Sequence, residues 1–251
     1  MTPRKSAVPY ATIDTIFLDA GNTLICMNYA WVASELETLG IVTSATEIRR
    51  AEAAARPATS QRIAVGKHSD DMDHFAFHLA QTVTRLATRI PSGATLDAAA
   101  IAWRLAATLK KPGEDYRLWS WVLPGVPEAL QELRTLGLRL VVVSNSDGSV
   151  ARALADLDLA PHLDAIFDSH EVGFEKPDPR FFAHALRESG ACAERTVHVG
   201  DMYYQDVQGS RAAGVHSVLL DPYGDWKIEN CERCRDLSEL VGRIRRARAR
   251  P

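Results

Sequence analysis

Cysteine is scarce in this chain: Cys26, Cys192, Cys231 and Cys234 are the only four among 251 residues. So few, so scattered, exclude a disulfide scaffold. Cys231-Glu-Arg-Cys234 has the spacing of half a zinc site, but a structural zinc takes four ligands and no second pair or Cys/His cluster accompanies it, so free thiols are expected. Charge of one sign is also lacking. A formal net charge of −3 with 24% charged residues gives no field that would gather nucleic acid or an anionic membrane. No apolar run approaches a membrane span, and the basic start from Met1 to Lys5 has no segment of signal-peptide length behind it before Asp14. A soluble cytoplasmic enzyme or binding protein is expected, with neither nucleic acid nor membrane as a partner. Arg243, Arg245, Arg246, Arg248 and Arg250 crowd the end of the chain without an aromatic or groove-fitting motif beside them, and they read as a solvated, frayed terminus.

What is present is a change of texture along the chain. Ile16-Phe17-Leu18 is a short apolar strand, and from there to about Lys111 the pattern is helical. Tyr29 to Leu39 forms one helix ended by Gly40. Ser44-Ala-Thr-Glu47 is a capping box that opens a second, alanine-rich helix broken by Pro57. Met72, Phe75, Leu79, Val83 and Leu86 recur at helical spacing, and Thr95 to Lys110 is a fourth helix. From Gly125 strands and helices alternate: a helix with Pro127 in its first turn, the run Leu138 to Val143, then Ile166-Phe167, Thr196 to Val199 and Val215 to Leu220, each followed by a helix. This alternation specifies an α/β fold, a doubly wound parallel sheet with its site at the carboxyl ends of the strands. Residues 1–23 and 119–251 make the core, and 24–118 an all-helical insertion.

Four stretches carry chemistry. Asp19 closes the first strand in Asp19-Ala-Gly-Asn-Thr23; Ser144-Asn145 ends the run Val141 to Val143; Glu175-Lys176-Pro177-Asp178-Pro179 precedes a helix; and Val199-Gly200-Asp201 is followed by Asp206. Each alone has a plain reading as a cap, a turn or a solvated lysine. In this order, over some 190 residues, they resemble the four motifs of the haloacid dehalogenase (HAD) superfamily. The resemblance implies a Rossmann-like core with a helical cap domain, a nucleophilic Asp19, and Ser144, Lys176, Thr23 and Asn145 about the phosphoryl group. It further implies Mg²⁺ held by Asp19, the carbonyl of Gly21 and Asp201, with Asp206 joining Asp201 in organising the metal.

The departure is Gly21. Phosphatases of this superfamily read DxDGT, and their second aspartate is the general acid and base; this chain reads DAGNT. A glycine keeps the carbonyl but removes proton transfer, which contributes a factor of ~10²–10⁴. The substrate could then carry a good leaving group, the cap could supply the acid, or the reaction could differ. In the insertion Lys67, His68, Asp70, Asp71, Asp73, His74 and His78 cluster, and Asp71, His74 and His78 share a helical face; a solvated face is the simpler reading, a catalytic one the alternative. Lys67 invites comparison with phosphonatase, and Arg49 or Arg50 with the cap arginine of 2-haloacid dehalogenases. Intact Gly200-Asp201 favours phosphoryl chemistry on a small phosphorylated metabolite. A weakened domain that only binds a phosphorylated ligand or partner is the non-enzymatic alternative.

Overall fold

The computed structural model of the chain describes residues 8–64, 72–86 and 97–249. Six parallel strands form the main sheet: β1 (Thr15–Leu18), β4 (Arg139–Ser144), β5 (Ala165–Asp168), β6 (Thr196–Gly200), β7 (His216–Leu220) and β8 (Glu232–Cys234), in the order β5-β4-β1-β6-β7-β8. The first strand is therefore central, flanked by β4 (Leu18 opposite Val142) and β6 (Leu18 opposite Val199). Strand periodicity then sorts its side chains onto two faces. Ile16, Leu18, Leu140 and Val142 pack toward helices α6 (Val126–Thr135), α7 (Val150–Asp156) and α11 (Leu237–Arg248). Phe17, Val141 and Val143 pack on the other face against Phe181, Phe182 and Ala185 of α9 (Pro179–Ser189), which stands in the chain between the single turns α8 (Ser169–Val172) and α10 (Gly209–Ala212). Burial on both faces is what the unbroken apolar runs require.

A second apolar cluster belongs to four helices that follow β1: α1 (Tyr29–Thr38), α2 (Ala45–Ile63), α3 (Met72–Leu86) and α4 (Ala98–Leu109). The capping box of Ser44 and Glu47 opens α2 as its sequence specifies. Pro57 does not end it. A proline inside a helix removes one hydrogen bond and costs ~3 kcal/mol, yet α2 continues to Ile63 because Ala55, Arg56, Thr59, Ser60 and Ile63 are all buried around the proline. The last turns of α2 therefore reach the sheet. A short antiparallel ribbon of β2 (Ile25–Cys26) and β3 (Trp121–Val122) joins the two ends of the helical segment, preceded by the single turn α5 (Asp115–Leu118). Two-residue strands carry no periodicity to read, so the reading of residues 24–118 as all helical omits β2.

The arginine-rich end is not frayed. It forms α11 up to Arg248, where Arg243 donates to Glu232 at 3.3 Å and Glu239 at 2.8 Å, Arg245 pairs with Glu132, and Arg248 donates to the carbonyls of Ile13 and Leu136. Arg250 lies outside the described residues. All four cysteines are free thiols; Cys231 and Cys234 are both buried but sit in different apolar clusters. Among the described residues no helix is long and apolar enough to cross a membrane.

Candidate active site

The carboxyl ends of β1, β4 and β6 converge beneath the last turns of α2. Asp19 follows β1 directly, and its N–H donates to the Val199 carbonyl at 2.9 Å, which fixes the residue against β6. Ser144 is the last residue of β4 and is buried on the same cleft. Asn145, next in sequence, uses both ends of its amide on the backbone of Lys176: Nδ2 donates to the Lys176 carbonyl at 2.9 Å and Oδ1 accepts its N–H at 2.8 Å. This amide clamp holds the lysine from outside the sheet. Lys176 Nζ then donates to Asp19 Oδ1 at 2.6 Å and to Asp206 Oδ1 at 2.7 Å. Burial opposes the lysine's charge, but the two carboxylates overcome it and hold Lys176 above its ordinary value.

Asp206 is the hub of the sheet side. Oδ1 also contacts His198 Nε2 at 2.9 Å, and Oδ2 accepts the Met202 N–H at 2.8 Å. Burial opposes its charge, but Lys176 first and His198 second outweigh that and keep Asp206 ionised below the usual carboxylate range. Gly200 makes the arrangement possible: a Cβ there would lie 2.2 Å from the Asp206 carboxyl carbon. Asp201 is buried beside it, and carboxylate oxygens of Asp19, Asp201 and Asp206 lie within 4.8 Å of one another. Crowding shows in their ionisation. Burial pushes Asp19 up to about 6 against the pull of Lys176, with Asp206 adding to the rise. Asp201 is driven well above the ordinary range, again chiefly by burial.

A second network arrives from the helices. Arg56, on the turn of α2 before Pro57, places Nε 3.3 Å from Asp201 Oδ2, an ion pair without hydrogen-bond geometry. Four residues earlier, fully buried Glu52 accepts from Arg56 Nη2 at 2.6 Å, from Asn22 Nδ2 at 3.1 Å and from the Tyr29 hydroxyl at 3.2 Å, and it contacts His78 Nε2 at 3.0 Å. Burial would raise Glu52; Arg56 and His78 override it and hold the group well below the carboxylate range. Asn22 can reach Glu52 because it adopts φ 55°, the left-handed conformation that asparagine tolerates. Among the described residues, the carboxylates of Asp19, Asp201, Asp206 and Glu52 face two permanent cations, Lys176 and Arg56, with His78 beside Glu52, while burial lowers His198 toward its neutral form. The acidic excess, and an Asp201 Oδ2 that has Arg56 beside it but accepts no hydrogen bond among the described residues, suit a hard divalent cation, which takes oxygen ligands.

Several expected residues lie elsewhere. Thr23 is buried, its hydroxyl has no hydrogen-bond partner among the described residues, and it does not line the cleft. Arg50 pairs with Asp225 through two contacts of 2.8 Å, away from the cleft, and Arg49 does not line it either. His74 and His78 turn inward to the cleft instead of forming a solvated face, whereas Asp73 faces Arg62 at 3.7 Å near the surface. Lys67, His68, Asp70 and Asp71 lie outside the described residues. Glu52, Arg56, His198 and Trp119, which lines the cleft beside Gly21, are among the site residues that the motifs do not mark. The first two carry a faint signal, an i,i+4 acid–base pair in an alanine-rich helix, which is hidden once the helix is taken to stop at Pro57.

A profile described as a haloacid dehalogenase-like hydrolase matches residues 13–214. The haloacid dehalogenase-like hydrolase domain-containing protein 3 of Homo sapiens is 43% identical over 124 residues, 49% of this chain and 49% of that protein. A phosphoserine phosphatase of Thermus thermophilus is 41% identical over 102 residues, covering 39% of this chain and 41% of its own. The matched segments thus span about half the length of these relatives or less. Among solved structures, the HAD-hydrolase YfnB from Bacillus subtilis superposes with a TM-score of 0.62 at 18% identity, over 92% of this chain and 98% of that one.

Proposed function

Because the chain belongs to the haloacid dehalogenase-like hydrolase family, we propose that it is a Mg²⁺-dependent phosphatase of a small phosphorylated metabolite, working through a phosphoryl-Asp19 intermediate. The observation that carries this reading is the pairing of Lys176 with Asp19 at 2.6 Å inside an acidic cluster that has more negative charge than its own cations offset. The phosphatases among its relatives support the reading.

In this account Asp19 attacks phosphorus, Lys176 and the Ser144 hydroxyl hold phosphoryl oxygens, and Asn145 positions Lys176. Mg²⁺ would be held by Asp19, the Gly21 carbonyl and Asp201, and would supply charge neutralisation for the transferring group. Asp206 organises the site through Lys176 and His198. Residues 24–118 act as a cap over a core of 1–23 and 119–251, with the β2–β3 ribbon as its hinge. Closure excludes water from the charged site, where low dielectric strengthens the lysine's contribution. Engagement of Arg56 by Glu52 and Asp201, and of Arg50 by Asp225, leaves neither arginine aimed at a departing halide, which favours phosphoryl over dehalogenase chemistry.

Turnover of acetyl phosphate with and without Mg²⁺ tests the reading, with Asp201→Ala as the site control. Activity that requires the cation and disappears in the variant is expected. Undiminished turnover after exhaustive chelation, or release of halide from 2-haloacids, would reject it.

A further inference from the structure

The place that a second motif aspartate would take is filled by an aromatic ring. A Cβ on Gly21 would lie 3.1 Å from Trp119 Cζ3 and 3.3 Å from Cη2, so the indole sits edge-close above the nucleophile loop. Trp119 follows α5, where its N–H donates to the Asp115 carbonyl at 2.9 Å, and it packs against both apolar clusters. From there the wall of the cleft continues through Phe75, Tyr116, Leu118, Ile25 and Val150. Acids near this wall are already engaged. Glu52 is held ionised by Arg56 and His78, Asp115 pairs with Lys110 at 3.3 Å, and His78 has Thr59 at 2.9 Å on its other nitrogen.

Resting on the phosphatase reading above, we infer that the substrate is an aryl phosphate whose ring stacks against Trp119. The two features explain each other. Asp19 forms the new P–O bond while the P–O(aryl) bond breaks, and the electron pair leaves on a phenolate that needs no proton at that moment. Water then attacks the phosphoryl-Asp19, and inorganic phosphate and the free carboxylate are restored; the net change is aryl phosphate plus water to phenol plus phosphate. A phenol ionises near ~10, whereas an alkoxide approaches the basicity of hydroxide, whose parent water has a pKa of ~15.7. A site without an acid at position 21 can therefore expel the first far more readily than the second. The indole that replaced the acid supplies the surface that an aromatic leaving group needs.

Three probes with Mg²⁺ separate the possibilities: 2-naphthyl phosphate, acetyl phosphate and glycerol phosphate. They are compared in the wild-type chain, in Trp119→Leu and in Trp119→Phe. The naphthyl ester should exceed glycerol phosphate by ~10²-fold or more in kcat/KM, as expected when the acid is absent. Trp119→Leu should lower the naphthyl-to-acetyl ratio of kcat/KM about 3- to 10-fold through KM, with Trp119→Phe recovering part of it. Glycerol phosphate turned over within tenfold of the naphthyl ester overturns the inference, as does a ratio that Trp119→Leu leaves unmoved. Those results with acetyl phosphate still hydrolysed spare the phosphatase reading; failure of all three probes overturns both.

Discussion

Two buried cations each hold two carboxylates in this molecule, and the pairs differ in what they join. On the sheet side Lys176 links Asp19 to Asp206, residues that follow β1 and β6, and its own backbone is clamped by Asn145 beyond β4. Every partner belongs to a strand end or to a turn that follows one, Asp206 lying in the π-helical turn Tyr203–Gln208 after β6, so the network is complete whatever helices α1 to α4 do. On the helical side Arg56 links Glu52, its neighbour on the same helix, to Asp201 across the cleft. That network is whole only while α2 lies over the sheet. On the proposed reaction, the sheet side would carry the covalent chemistry and the helical side would join it when α2 lies over the strand ends.

Breaking the sheet network should have the largest effect on turnover. Asp19→Asn should reduce hydrolysis of any phosphate ester to background, and Lys176→Met should cost ~10²–10³ in kcat, the usual loss for a cation aimed at developing charge. Steady-state kinetics on an aryl phosphate measure both; a Lys176→Met enzyme with full kcat would place the lysine in structure alone.

Adding what the sheet network lacks should be nearly as large. Gly21→Asp supplies a carboxylate where phosphatases place theirs, but its Cβ would press on Trp119, so the gain should appear chiefly in Gly21→Asp with Trp119→Leu. That pair should raise alkyl phosphate hydrolysis toward the ~10²–10⁴ of a positioned acid. Correct folding and metal binding without any gain would count against a missing proton shuttle as the limit on this enzyme.

The helical network should be read first in stability. Glu52→Gln leaves Arg56 buried with weaker compensation and should cost about 3–5 kcal/mol at neutral pH. The sign in pH follows from the depressed carboxyl of Glu52. Its contribution is present above the unfolded-state value of ~4.3 and is lost as pH falls through the folded value. The gap between wild type and variant in urea unfolding should thus narrow on acidification; a gap that widened toward acid would contradict the assignment. Smaller again is the effect of the cation. Mg²⁺ at ~100 times its dissociation constant should stabilise the fold by about 2.7 kcal/mol, visible as a rise in Tm that Asp201→Ala removes.

The same contrast explains what could be read in the sequence. The sheet side was legible because each of its residues ends a continuous apolar run or stands at fixed spacing from one: Asp19 after Ile16-Phe17-Leu18, Ser144 after Val141 to Val143, Asp201 after Val199-Gly200. Strand period and parallel topology then bring them to one edge. The helical side has no such constraint. Glu52 and Arg56 look like a surface pair until packing buries them, and Pro57, whose local cost argues for a helix end, is overridden by burial on both sides. Trp119 escaped for another reason, since its contact with Gly21 is made across nearly a hundred residues through a two-residue ribbon. His74 and His78 shared a face in the sequence, but only the fold of α3 against α2 decides that this face points inward.

The most direct test of covalent chemistry at a site without its proton shuttle is rapid quenching of the Mg²⁺-loaded chain with 2-naphthyl phosphate, followed by mass spectrometry of the peptide containing Asp19. With neither acid nor base at position 21, phosphorylation by an acidic leaving group should outrun hydrolysis of the intermediate. The account expects a burst of one equivalent of naphthol and a phosphoryl group on Asp19 that is absent in Asp19→Asn. Steady naphthol release with no burst and no adduct on Asp19, or an adduct that survives the substitution, would contradict it.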